Sequence, residues 1–358
     1  MNYIKRIKAL SEILKSIPCD ALLVENPTNL LYLTGLDLST GKLLITSTGA
    51  TLLVDGRYIE TCLKYSPCPV HLIDKMSLKD AIRSNPISTM AFESDKTMHH
   101  EFLNLQKLID ELRQESVDVT LTHVESPVQK MRLIKDDDEI KILAEAARLG
   151  YEGFEFVVAN LKEGITEEEL ALELEYFWRK KGAKKVAFDP IIAFGPNGSM
   201  PHYRAGESKL QKNQSVLIDI GVTWKHYHSD MTRVIFFGEV SEEIQKIYKI
   251  VEEAKQAAIS LCKPGTLIGD LDKSARHIIS SKGYGEYFTH SLGHGIGLDV
   301  HEIPTLRSKG PFINTPLEPG MVITIEPGIY LPDIGGVRLE DTIVITKNGF
   351  TNLTKKTQ

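Results

Sequence analysis

Four acidic side chains lie inside apolar, strand-like runs of this sequence. SVLIDIGVTWKHYHSDMTRVIFF carries Asp219 in the middle of one run and Asp230 at the head of the next, and GMVITIEPGIYLPDIGGVRLEDTIVIT carries Glu326 and Glu340 in the same way. A buried acid is costly unless it is paired or bound to a metal. Folding the first segment as a hairpin centred on Trp224 and Lys225 sets Asp219 opposite Asp230, with Cβ atoms about 5 Å apart. Trp-Lys is a poor two-residue turn, so this reading needs a longer or bulged loop. The second segment is symmetric about a turn near Asp333, with Glu326 opposite Glu340.

A third stretch, HSLGHGIGLDVHE (290–302), supplies His290, His294 and His301 among glycines. His290 and His294 stand at i and i+4, which on a helix would share a face. Gly293, Gly295 and Gly297 oppose a helix, each costing roughly 1 kcal/mol relative to alanine. The stretch therefore reads as a turn or irregular strand whose backbone is held close to something. Four carboxylates gathered with one imidazole repel one another unless some stay protonated or cations balance them. Two divalent ions balance the four charges. The oxygen-rich donor set suits Mn, Co, Fe or Zn, and bridging carboxylates that hold ions about 3.5–4 Å apart serve two-metal hydrolysis.

The elements that must position these groups are legible in outline. Ile4, Ile7, Leu10, Ile13, Leu14 and Ile17 recur at helical spacing, ALLV (21–24) reads as a buried strand, and LLITSTGATLLVDGRY as a hairpin turning at Ser47 to Gly49. Acids from Asp136 to Glu139 open a long helix after Lys135, and Thr166 with Glu169 has capping-box spacing for a second helix that stops at Gly182. Further helical patterns occupy about 242–262 and 267–282, and strand-rich blocks fall at 186–195, 214–237 and 320–347. A composition shift places the domain boundary near residue 126. His71, His99, His100 and His123, in the first domain, read as surface or structural.

At 358 residues and 42% hydrophobic content the chain is long enough for two domains with real cores. A formal charge of -6 with well-mixed signs gives no footprint for nucleic acid or anionic membrane. No apolar run of about 18 residues and no signal-like start point to a membrane or to export, so a cytoplasmic location is expected. The four cysteines form no CxxC pair and read as reduced thiols.

IDIG with Asp219, HSDMTR with Asp230, HSLGHGIGLDVHE with His294, TIEPGIY with Glu326 and GVRLEDT with Glu340 resemble, in order and spacing, the metal centre of the pita-bread-fold Xaa-Pro peptidases, which include aminopeptidase P and prolidase. The resemblance implies an α/β (α+β) chain with a creatinase-type N-terminal domain (1–126) and a catalytic pita-bread domain (127–358). It implies that Asp219 binds one metal, Asp230 and Glu340 bridge two, and His294 and Glu326 complete the second site, Mn being expected ahead of Co, Zn or Fe. Glu326 would also be the proton shuttle. His202, from GPNGSMPHYR, would join His290 and His301 around the substrate, and Thr232 and Arg338 would orient the ligands. Asp299 and Glu302 read as structural. Ala205 and Ser199 depart from the usual pattern of the His202 loop without touching a ligand. The activity implied is hydrolysis of the bond before a penultimate proline by a bridging hydroxide, in a homodimer. An Xaa-Pro aminopeptidase is the first expectation and an Xaa-Pro dipeptidase the alternative. A metal-free creatinase-like hydrolase or a non-catalytic peptide-binding module would lack several of the five ligands.

Overall fold

The structure is a computed structural model of the chain and describes residues 1–355. It divides into two compact units between Arg132 and Leu133, just past the short helix Pro127–Arg132, whereas the composition shift alone places the boundary near 126.

The first unit is a six-stranded mixed sheet dressed with helices. Helix Tyr3–Leu14 buries Ile7, Leu10 and Leu14, the stripe the periodicity marks, and Asn2 caps it by accepting from Lys5 N at 2.9 Å. Ala21–Val24 is buried along its whole length because it is a central strand, flanked antiparallel by Lys42–Thr46 and parallel by Thr89–Glu93. Lys42–Thr46 returns as Ala50–Val54 through the expected tight turn, closed by Thr46 N donating to Gly49 O at 2.8 Å.

In the second unit, helices Asp137–Asn160 and Glu167–Lys180 start on capping boxes at Asp136/Glu139 and Thr166/Glu169. Trp178 locks the two together. It is 1% exposed, its indole N–H donates to Leu149 O at 2.8 Å, and it lies so close to Gly153 that a Cβ there would stand 2.5 Å from its ring. Helices Glu242–Ser260 and Ile268–Ser281 bury Ile247, Val251, Leu271 and Ala275 in a core shared with Ile323, Ile325, Ile343 and Val337, that is, with the strands bearing the second acid pair.

Two antiparallel systems carry the acids. In one, Gln214–Ile220 runs between Ile191–Phe194 and Met231–Phe237. Its register sets Asp219 against Thr232, so the direct Asp219–Asp230 pairing expected from a turn at Trp224–Lys225 is corrected. The turn lies one residue later. Trp224 pairs with Tyr227, and Lys225 and His226 take φ of 46° and 72° between them, the left-handed pair of a type I′ hairpin. Asp230 is thereby diagonal to Asp219 on the same face. In the other system, Val322–Ile325 pairs with Asp341–Thr346 and Gly328–Leu331 with Gly335–Arg338. Both pairings keep one register about the Asp333 turn, so Glu326 and Glu340 face each other in the gap between them. Among the described residues no helix is long and apolar enough to cross a membrane.

Candidate metal centre

His294 owes its position to glycine. Gly293 and Gly295 flank it on the short strand Gly293–Gly295, and a Cβ at either would stand 2.1 Å from Thr324 O or 2.3 Å from Ile303 O. The glycines let three strands close to bonding distance around one imidazole. His294 N donates to Thr324 Oγ1 at 3.1 Å, and Nδ1 lies 3.0 Å from Gly295 O. A carbonyl can only accept, so Nδ1 carries the proton and Nε2 keeps its lone pair.

That lone pair faces acids. Nε2 is 3.3 Å from Glu326 Oε1 and 3.7 Å from Asp230 Oδ2. These distances suit an ion pair only with a protonated ring, yet burial, followed by the neighbouring His301, pulls the His294 pKa down to about 4. The desolvation argument decides the matter: the ring is neutral, and lone pairs converge on a space that needs a cation. Asp230, His294 and Glu340 bring one donor atom each within 4.8 Å of one another. Burial pushes the Asp230 and Glu340 carboxyls well above the usual range, each aided by other acids of the group, and Glu326 up to about 8. Asp219 Oδ1 and Glu340 Oε1 are buried without a hydrogen-bond partner among the described residues. Orphaned carboxylate oxygens, crowded acids and a deprotonated imidazole nitrogen are what divalent cations satisfy, so the five residues fit the metals expected of them.

A single web aims the acids. Arg338, 3% exposed, donates Nη2 to Asp219 Oδ2, Nε to Thr232 Oγ1 at 3.1 Å, and Nη1 to Tyr330 Oη at 2.8 Å and Pro201 O at 3.4 Å. Thr232 then donates to Glu340 Oε2 at 2.7 Å. Thr232 and Arg338 thus tie the two hairpins together through their acids, which is how such outer partners tune ligands.

The remaining histidines differ. His202 has no hydrogen-bond or ion-pair partner among the described residues, and His301 stacks tilted on His294 with ring centroids 4.4 Å apart. Burial makes His290 and His301 less basic, and both also lie near enough to His202 for its charge to add to that effect. His290 is already committed at both nitrogens, Nδ1 at 2.8 Å from Ser291 O and Nε2 at 2.8 Å from Tyr330 Oη. Because Tyr330 accepts from Arg338, its own hydroxyl proton goes to His290 Nε2. Tyr330 sits inside the TIEPGIY motif, but a tyrosine in a β-run carries no sign of this role. Glu302 forms a buried pair with Lys135 at 2.9 Å and caps Asp299 N at 3.1 Å, under the loop that bears His294 and His301.

Residues 141–347 match metallopeptidase family M24, and residues 6–134 match the creatinase/prolidase N-terminal domain. The chain is 40% identical to an Xaa-Pro dipeptidase of Pyrococcus horikoshii over 98% of this chain and 97% of that protein. Among solved structures it resembles an Xaa-Pro dipeptidase from Bacillus anthracis (36% identity, TM-score 0.91, covering 100% of this chain and 99% of that one). It also resembles an X-Pro aminopeptidase from Thermotoga maritima (34% identity, TM-score 0.86, covering 97% and 98%). With a creatinase-type domain ahead of a pita-bread domain, and a match that covers most of the second domain, the chain belongs to metallopeptidase family M24.

Proposed function

We propose that this protein is an Xaa-Pro dipeptidase. The observation that carries the reading is the 40% identity, over nearly the whole of both chains, to the Pyrococcus horikoshii dipeptidase. It displaces the aminopeptidase expectation drawn from the sequence alone. Aminopeptidase activity is the second reading, kept by the Thermotoga maritima likeness.

Asp219, Asp230, His294, Glu326 and Glu340 would hold two divalent ions, Mn ahead of Co, Zn or Fe, which supply Lewis acidity and make hydroxide available at neutral pH. The protein's own work is proton transfer and orientation. An Xaa-Pro bond is a tertiary amide without an N–H, so its nitrogen must receive a proton as it leaves. Glu326 is the shuttle: Thr324 Oγ1 donates to its Oε1 at 3.1 Å and fixes the carboxylate that takes a proton from the attacking water and passes it to the departing nitrogen. His202, unpartnered, and His301 donate to the carbonyl oxygen as charge develops there. Arg338 and Thr232 keep the acids from rotating away.

The test is cleavage of a matched pair, an Xaa-Pro dipeptide and a longer Xaa-Pro-Yaa peptide, by chelator-stripped protein reloaded with Mn, Co or Zn. Metal-dependent hydrolysis confined to the dipeptide is expected. Release of the first residue from the longer peptide as well moves the assignment to the aminopeptidase, and cleavage of neither sinks both readings.

A further inference from the structure

His202 is an exposed, unpartnered side chain on a segment of irregular backbone, yet the chain on either side of it is tied down. The tie is Glu167, the first residue of helix Glu167–Lys180 and 0% exposed. Its Oε1 accepts from Phe194 N at 2.7 Å and from Asn197 Nδ2 at 2.9 Å, and its Oε2 accepts from Tyr203 Oη at 2.7 Å and Gly206 N at 3.2 Å. One carboxylate thus gathers four donors from both sides of His202. An ionised carboxylate accepting this many bonds is a strong anchor, because each charge-assisted bond is about twice as strong as a neutral one. A helix N-terminus also favours the negative charge.

The segment before His202 has a second tie, independent of Glu167. Pro201 O accepts from Arg338 Nη1, the guanidinium that also holds Asp219. Gly198 lies against the strand that carries Arg338 so closely that a Cβ on Gly336 would stand 2.1 Å from Gly198 O. His202 therefore hangs between Pro201, tied to the acids, and Tyr203, tied to Glu167, with its own ring free.

We propose that Glu167 is a positioning residue that presents His202 to the scissile carbonyl. This rests on reading the chain as an Xaa-Pro peptidase with His202 at the substrate. Glu167 touches neither substrate nor metal ligand. It acts by fixing in advance a loop that would otherwise have to be ordered as substrate binds or as the transition state forms.

The experiment is a double-mutant cycle on the full-length, metal-loaded protein with the Xaa-Pro peptide it cleaves best: wild type, Glu167→Gln, His202→Ala and the double variant. Glutamine keeps the shape but turns one oxygen into an NH₂ that opposes two donors. Expected is a fall in kcat of roughly 10–100-fold, with KM moving less, when His202 is present. In the His202→Ala background the same change should alter kcat less than about threefold, the two residues acting as one unit. Equal losses in both backgrounds overturn the proposal. Hydrogen exchange gives a readout apart from turnover: the Phe194 and Gly206 amides should exchange at least about tenfold faster in Glu167→Gln, and unchanged protection also overturns it. If that variant does not fold, Tyr203→Phe, which removes one donor and leaves three, goes through the same cycle. A wild type that cleaves no Xaa-Pro peptide refutes the functional reading. A wild type that cleaves, with independent losses, refutes the role of Glu167 alone.

Discussion

Glu93 should make the stability of the first unit depend on pH. It ends strand Thr89–Glu93, 1% exposed, with Oε1 accepting from Asn29 Nδ2 at 2.8 Å and from the Ser126 hydroxyl. Oε2 is buried with no hydrogen-bond partner among the described residues. Burial raises the carboxyl to about 7 from an ordinary 4.5, against the lowering effect of Ser126 and Asn29, while Asp95 adds to the rise and Lys96 opposes it. The folded state therefore prefers the protonated acid. Its contribution is fully present below about pH 4.5 and is lost as pH rises through 7. A rise from 4.5 to about 7 corresponds to about 3 kcal/mol lost by pH 9. Glu93→Gln removes the ionisation while keeping an amide oxygen for Asn29. Hydrogen exchange of the amides in Thr89–Glu93 and Ala21–Val24, corrected for intrinsic rates and read from pH 5 to 9, gives the opening free energy of this sheet in the full-length protein. Groups that titrate in both proteins cancel in the difference, so the wild type should lose about 2.5 kcal/mol more than Glu93→Gln across this range, part of the total having gone by pH 5. Parallel curves would mean that Glu93 stays ionised in the fold and that the burial argument is wrong.

Two further expectations rest on backbone geometry. Gly293→Ala places a methyl 2.1 Å from Thr324 O, so the strand bearing His294 must move; a loss of about 1–3 kcal/mol in denaturant unfolding and weaker metal binding by titration are expected, and an unchanged unfolding midpoint would show that the close approach is not needed. Lys225→Asn puts a residue that tolerates positive φ at the exposed turn position where φ is 46°, and should raise stability by about 0.5–1 kcal/mol without altering activity; a lower midpoint would refute the assigned turn.

What the sequence makes legible is local. Thr166 and Glu169 form the capping box their spacing predicts, Asp136 caps the long helix, and Gly182, at φ 92°, lies just past the helix it was expected to end. The glycines around His294 do mark close backbone approach. What stays hidden joins residues far apart in the chain. An acid at the first position of a helix reads as a complement to the dipole, so Glu167 has no local mark of the four donors it collects. Glu93 ends a strand as many solvated acids do, and only the packed sheet shows it buried.

The misplaced register of the Asp219 hairpin has a more specific cause. A slip of one residue would turn every apolar side chain of the strand to the wrong face, and the hydrophobic pattern forbids it. Moving the turn centre from Trp224–Lys225 to Lys225–His226 changes the pairing by two residues, from Asp219 opposite Asp230 to Asp219 opposite Thr232, and leaves every face unchanged. The pattern is blind to such a shift. Turn chemistry alone could have decided it, but neither Lys nor His favours positive φ, so that rule also points elsewhere. The decision is made by groups around the acid cluster: Val222 N donates to Ser229 Oγ at 3.0 Å, His228 N donates to Gly297 O at 2.9 Å, and Arg338 Nε donates to Thr232 Oγ1. In the rejected register Thr232 would sit two residues further along from Asp219, and one guanidinium could not serve both Asp219 and the hydroxyl that steadies Glu340. The turn's backbone strain is thus sustained by the same web that aims the acids, which places the least predictable feature of the hairpin at the site where its geometry matters most.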